Sequence, residues 1–439
     1  MTRIGFAYNL KPDSDAVDGG RDGDASRPDE EPPSRRRPDA STAHAPALRV
    51  SRSPNGGASP SSPLPFAAPD APPPDDEYAE WDSEETIAAV ERALGARGEV
   101  IRLEADADFP ERLRAARPDI VFNIAEGLHG PNREAHVPAI CEFFGIPYSG
   151  SDPFTLSLCL DKARAKEVLT HHGVPNARFV VVRDEEELEA LLGGARGEGR
   201  GTSPPSLVPR PSPLAPLFAK PLHEGSSKGI TERNLCRDGD ELAAQVAFLL
   251  ERYRQPVLVE EFLPGAEFTC AVLGNGRGAR VLPIVGMNFG ALPEGALPIY
   301  GFEAKWLWDR PERPLDIFQC PAPIDAALER RITEVVLAAY RVLGCRDWSR
   351  IDVRLDAHGV PNVVEINPLP GILPDPADNS CFPKAARAAG MSYDELIQAC
   401  LHHAAARQGV PLSRQNAARG TGQPRDEARA RRDAAAALG

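Results

Sequence analysis

Short apolar runs alternate along this chain with stretches whose apolar residues fall three and four apart, the pattern of strands interleaved with amphipathic helices. Residues 3–8 (RIGFAY) read as a first strand that breaks straight into a proline-rich segment. Beyond that segment Ser83 can cap a helix that carries Ile87, Val90 and Leu94 on one face, with Gly95 and Gly98 as stops. Residues 100–103 and 119–124 suit buried parallel strands, the second followed by a helix over 134–144 closed by Gly145. Another helix is predicted over 161–171. From Phe179 the runs become β-rich, with strands predicted at 217–220, 257–261, 268–273 and 279–285. A long amphipathic helix over 325–343 then precedes the strand pair 350–355 and 361–366. The fold class is α/β (α+β).

Proline and glycine divide the chain further. Residues 11–77 hold 14 of the 45 prolines and cannot build a core, so this segment is expected to be a disordered insertion. Residues 193–216, with five glycines and six prolines, read as a long flexible loop, and 406–439 as a tail. The domain reading is an amino-terminal α/β substrate domain (1–10 and 78–155), a central subdomain (156–266) and a carboxy-terminal subdomain (267–405). Acids outnumber bases 64 to 50, giving a net charge of −14, which excludes nucleic acid and anionic membranes as general partners. No run approaches the ~20 apolar residues of a bilayer span. A cytoplasmic location is expected. The eight cysteines form no CxxC pair and read as reduced core residues.

The last strand pair carries the strongest chemistry. With residues 356–359 as a four-residue turn, Asp352 would face Val363 and Arg350 would face Glu365. Arg350, Asp352, Glu365 and Asn367 then share one face, with Asp352 diagonal to Glu365. An oxygen-only set of that kind suits Mg²⁺, and the adjacent guanidinium suits a carboxylate or phosphate. The alternative is a surface ion-pair ladder. The PLPGI turn that follows (368–372) weighs against it, since it would present backbone amides to an anion. Lys220, followed by the Gly-Ser loop 225–229, is a candidate phosphate cradle, although neither GxxxxGK[ST] nor GxGxxG spacing is present.

In this order, the motifs resemble the ATP-grasp superfamily and, within it, the D-alanine:D-alanine ligases. The matching pieces are PYSGSD (147–152), LDKARAK (160–166), AKPLHEGSSKG (219–229), VLVEEFLPGAEFT (257–269), YGFEAKW (300–306), GCRDWSRIDVRLD (344–356), EINPLPGI (365–372) and FPKAARAAGMSYDEL (382–396). The resemblance implies a small amino-terminal α/β domain with a parallel sheet and two β-rich subdomains that clamp ATP. It implies that Lys162 and Lys220 hold ATP phosphates under a loop containing Ser226 and Ser227. Glu260, Glu261 and Leu263 would receive adenine, with Glu260 and Glu267 nearest the ribose, and Lys305 would reach the γ-phosphate. Asp352, Glu365 and Asn367 match the ligands of Mg²⁺ or Mn²⁺, two ions in the family pattern. Arg350 and the Gly371 amide match the donors to a tetrahedral oxyanion, and Ser380 matches the contact to the second substrate's carboxylate.

The amino-terminal end departs from the family. Its Gly-Gly-x-Ser-x-Glu-Arg-Glu-Val-Ser run is missing, and the nearest position after the insertion is close to Trp81. Glu126 stands near the place of the family's histidine, and Trp306 replaces a tyrosine. Glu126, Arg133 and Glu134 are therefore candidates for contacts to the first substrate. The resemblance implies ATP-dependent ligation of amino acids, D-alanine first among them, and a homodimer. A related carboxylate-amine ligase is the alternative, and a nucleotide clamp without ligation is a third reading.

Overall fold

The computed structural model describes residues 1–12, 78, 80–195, 216–225, 227–301 and 315–413. The expected disorder of the insertion, most of the 193–216 loop and the end of the tail fall outside these residues.

The first sheet is parallel, in the order β2 (Glu99–Glu104), β1 (Arg3–Tyr8), β3 (Ile120–Asn123). Ile4 pairs with Val100 on one side and Ile120 on the other, so β1 is the central, buried strand. Ser83 caps α1 (Glu84–Gly95) by accepting from the Thr86 amide, which leaves Ile87, Val90 and Leu94 fully buried. A second helix, α2 (Phe109–Ala116), precedes β3. The helix expected over 134–144 begins later: Arg133–Ala135 form a 3₁₀ turn and α3 spans His136–Phe144. Pro138 gives the reason. It lacks an amide hydrogen and is tolerated in the first turn, but a helix starting at Glu134 would put it in the second. Two further helices, α4 (Pro153–Leu160) and α5 (Lys162–His171), lead into the second sheet; Asp161 caps α5 through the Ala163 and Arg164 amides.

The second sheet is antiparallel, in the order β4 (Phe179–Val182), β7 (Val257–Glu261), β5 (Leu217–Pro221), β6 (Leu235–Cys236). Helices α6 (Glu185–Ala195) and α7 (Gly239–Tyr253) belong to this part of the chain, and Leu188, Leu242, Val246 and Leu249 pack in one core with β5 and β7. The helix α6 takes in residues 193–195 of the expected loop.

The third sheet is built on β8 (Glu267–Leu273), which pairs with β9 (Arg280–Val281) and β10 (Val285–Met287) on one edge. Residues 279–285 thus form two strands rather than one, because Pro283 cannot donate to the ladder. Beyond β10 lies β11 (Phe318–Gln319). On the other edge of β8 run β12 (Trp348–Leu355) and β13 (Pro361–Asn367), preceded by α8 (Ala326–Val342).

The hairpin register differs from the expected one. Asp356 accepts from the amides of His358 and Val360, which gives a five-residue connection and pairs Leu355 with Pro361. A bulge at Val364 then shifts the ladder once more, so that Asp352 lies directly opposite Glu365, and Arg350 opposite Asn367. The four side chains remain on one face, now in two facing pairs.

Two helices close the chain. The first, α9 (Cys381–Ala388), is followed by α10 (Tyr393–Gln408), which opens on a Ser392–Glu395 capping box and packs on α1. The tail expected from 406 starts later. Gly409 ends α10 in the left-handed region, and Ser413 docks on the first sheet by donating to the Arg97 carbonyl and accepting from the Thr2 amide. Seven of the eight cysteines are buried and all are free thiols. Among the described residues no helix is long and apolar enough to cross a membrane.

Candidate active site

A cavity of about 290 Å³ opens between the second and third sheets. Its lining includes Lys162, Lys220, Ser227, Glu260, Glu261, Leu263 and Glu267, and on the far wall Arg350, Asp352, Glu365, Gly371 and Ser380. Three segments remote in sequence thus converge.

Two lysines stand at one end. Lys162, the first residue of α5, reaches Glu365 Oε1 at 2.9 Å and also donates to the Glu224 carbonyl. Lys220 on β5 reaches Glu260 Oε1 at 2.7 Å, while Lys166, one turn after Lys162, reaches Glu260 Oε2 at 2.8 Å. Burial alone would raise the Glu260 carboxyl, but the two ammonium groups outweigh it and hold it down at about 2. For Lys166 burial wins and its affinity for a proton falls; for Lys220 the attraction of Glu260 and Glu365 outweighs burial and raises it. Glu260 is therefore committed to lysines, and the sequence reading did not single out Lys166.

The third sheet supplies the facing acids. Arg350 donates to Asp352 Oδ2 at 2.9 Å, and the Thr269 hydroxyl donates to Oδ1 at 2.9 Å. Burial and the neighbouring charge of Glu365 push the Asp352 carboxyl up against the pull of Arg350. Glu365 is held down, since Lys162, Lys220 and Arg350 outweigh its burial. Asn367 sits opposite Arg350, and its amide nitrogen is buried without a hydrogen-bond partner. Two facing carboxylates with an amide whose oxygen can join them fit a hard divalent cation.

Beside them the chain turns back. Ser380, just ahead of α9, donates its hydroxyl to the Gly371 carbonyl at 3.2 Å and accepts from the Leu373 amide at 3.2 Å, which closes the 371–380 loop. At the opposite end, Glu261 pairs with Arg178 at 3.2 Å and Glu267 pairs with Arg354 at 2.8 Å. Ser227 takes a left-handed conformation (φ 62°) and donates to the Tyr300 carbonyl at 3.3 Å. Ser226, Lys305 and Trp306 lie outside the described residues.

Glu126 and Arg133 do not line this cavity. They lie beside it with Glu134, in a group whose centre is Glu80, a residue the sequence reading passed over by one position. Glu80 accepts from Arg133 at 2.9 Å, Lys228 at 3.1 Å and the Gly225 amide at 3.1 Å. Burial would raise its carboxyl, but Arg133 and Lys228 bring it below its ordinary value. Its neighbours behave oppositely. Burial raises Glu134 and Asp82 to about 7 each, and burial reinforced by Glu134 and Glu80 raises Glu126 well above the carboxylate range.

The D-ala D-ala ligase C-terminus family model matches residues 212–402. An uncharacterised protein, y4sG, of Sinorhizobium fredii is 35% identical over 283 residues, 64% of this chain and 73% of the relative. The D-alanine–D-alanine ligase of Bordetella avium is 32% identical over 300 residues, 68% of this chain and 82% of the relative. The solved D-alanine–D-alanine ligase of Bacillus anthracis complexed with ATP shares the fold, with a TM-score of 0.53 and 21% identity over 75% of this chain and 96% of that one. With this share of a curated ligase covered at this identity, the chain belongs to the D-alanine–D-alanine ligase family.

Proposed function

We propose that this protein is an ATP-dependent ligase that joins two D-alanine molecules through an acyl phosphate. The observation that carries the reading is the meeting, on one cavity, of Lys162 and Lys220 with the facing Asp352–Glu365 pair and with Arg350 and Gly371. Phosphoryl transfer needs charge compensation and alignment rather than a protein nucleophile, and this set offers cations and donors without one.

In the first step the carboxylate of one D-alanine attacks the γ-phosphorus and ADP leaves. Lys162 and Lys220 bind the phosphates, and Ser226 and Lys305 complete that set by family resemblance. A bound Mg²⁺ or Mn²⁺, held by Asp352, Glu365 and Asn367, would offset charge on the transferring group. In the second step the amine of the other D-alanine attacks the acyl carbonyl, Arg350 and the Gly371 amide stabilise the oxyanion, and phosphate leaves. Ser380 receives the second substrate's carboxylate, and Glu126 and Arg133 border the first substrate.

A second reading, ligation of a different amino acid, is favoured by one observation. The acids Glu80, Asp82, Glu126 and Glu134 gather where the first substrate would lie, and the family's amino-terminal run is absent. Product analysis separates the two. ATP, Mg²⁺ and single or paired D- and L-amino acids are supplied, and ADP, phosphate and dipeptides are measured by mass spectrometry. D-alanyl-D-alanine in step with ADP supports the first reading; a different dipeptide establishes the second; nucleotide binding without amino-acid-dependent turnover overturns both.

A further inference from the structure

Arg354 is a buried arginine that the reaction scheme leaves without a role. It sits on β12 directly across from Glu267 on β8, is 6% exposed, and lines the cavity two residues along the strand from Asp352. Its guanidinium lies 4.7 Å from the ring centre of Phe262 and 5.3 Å from that of Phe289, between two aromatic faces. One terminal nitrogen donates to Glu267 Oε2 at 2.8 Å and the other to the Pro298 carbonyl at 3.0 Å. A single side chain therefore ties together the β7–β8 connection, the start of β8 and the loop that follows β10.

A guanidinium is a costly choice for this place. An apolar side chain would fill the space between two phenylalanines at no desolvation cost, and a buried ion pair is on average no more stabilising than such packing. What the arginine adds is a fixed carboxylate. Its fork holds Glu267 by Oε2, while Oε1 makes no hydrogen bond among the described residues and belongs to a residue that lines the cavity. A carboxylate oxygen held in one place on a cavity wall is an acceptor suited to a hydroxyl group.

We infer that Arg354 is a positioning residue for the nucleotide: it orients Glu267 so that Oε1 accepts a hydrogen bond from a ribose hydroxyl, and so sets a preference for ribonucleotides. This rests on the ATP reading above. Family resemblance puts Glu267 near the ribose, and it is silent on Arg354.

The test compares the binding of ATP, 2′-deoxy-ATP and 3′-deoxy-ATP to the full-length protein by titration calorimetry in Mg²⁺. The wild type is expected to prefer ATP over at least one deoxy analogue by about tenfold, the worth of one hydrogen bond to a charged acceptor. In R354M the preference falls to within about twofold. A merely structural role would weaken all three nucleotides alike and keep the ratio, and that result overturns the inference. E267A removes the acceptor and gives an independent reading should R354M not fold: a preference retained in E267A overturns the inference as well. The two levels remain distinguishable. A wild type that binds none of the three nucleotides defeats the ATP reading, whereas one that binds all three equally defeats only the role of Arg354.

Discussion

Glu80 holds Arg133 at 2.9 Å while its other oxygen accepts from the Gly225 amide at 3.1 Å, so one carboxylate joins the first sheet's helix start to the glycine loop. The contact is close: a Cβ at 225 would come within 2.5 Å of Glu80 Oε1 and push the carboxylate aside. E80A removes the carboxylate shared by the part-buried Arg133 and the buried Lys228, the latter also reaching Glu224 at 3.5 Å. The expected loss is ~3 kcal/mol in urea denaturation, the scale of breaking a buried pair. G225A should reproduce part of it by displacing the carboxylate. Both variants should raise the KM for ATP, since the glycine loop proposed to cover the phosphates loses its anchor. Unchanged KM values in two folded variants would confine Glu80 to a structural role.

The Lys166–Glu260–Lys220 group gives a prediction with a sign in pH. Glu260 is held at about 2, below the ordinary glutamate value of 4.5. A depressed carboxyl contributes stability that is fully present above the unfolded value and is lost as pH falls from about 4.5 toward 2. Removing one ammonium in K166M raises the Glu260 carboxyl toward its ordinary value, so ~2 kcal/mol should be lost near neutrality and the deficit should shrink as pH falls toward 2. Circular dichroism across pH 2–7 reads both effects. Coincident acid-unfolding curves for K166M and wild type would show that Lys220 alone suffices.

The chain leaves the first sheet and returns to it at one spot. Lys11 donates its amide to the Asp82 carbonyl at 2.9 Å, and Asp82 donates to the Asn9 carbonyl at 3.0 Å. Replacing residues 13–77 with a short Gly-Ser linker should therefore preserve the fold. Shortening the closed loop is expected to add up to ~2 kcal/mol of stability from loop-closure entropy. A large loss of stability or of ligase activity would give the replaced segment a role that the ends do not reveal.

Much of this site was legible in the sequence because its chemistry is local. Asp352 and Glu365 sit on adjacent strands with period-two alternation, and the common face expected from spacing survives because the longer turn and the bulge each shift the register by one residue, so the two changes of face cancel. The register turned on two things that spacing does not carry: the Asp356 side chain capping its own turn, and the bulge at Val364. Pro138 and Pro283 were readable signals, and each moved an element boundary from where periodicity put it. Glu80 was hidden for a different reason. It returns from a long insertion and finds Arg133 and Lys228 only through the tertiary fold, so no local pattern marks it. Arg354 is similar, since its partners Phe262, Glu267, Phe289 and Pro298 come from two stretches, 262–267 and 289–298, both distant from it in sequence.

The pairing of Lys162 with Glu365 at 2.9 Å sets up a crossed prediction for E365Q. In the wild type this carboxylate has two competing effects on ATP. It is a candidate ligand for a divalent ion that would offset charge on the phosphates, and without that ion it neutralises a lysine and would repel the triphosphate. E365Q should therefore weaken ATP binding in Mg²⁺ and, in EDTA, strengthen it by freeing Lys162. Ligase activity should fall by at least ~100-fold, the loss expected when several kcal/mol of metal-borne charge stabilisation is removed. Calorimetric titration of ATP with and without Mg²⁺ measures both arms. Weaker binding in EDTA as well would mean that Glu365 mainly holds Lys162 in place, and equal loss of Mg²⁺ dependence in D352N is needed for the facing pair to act as one site.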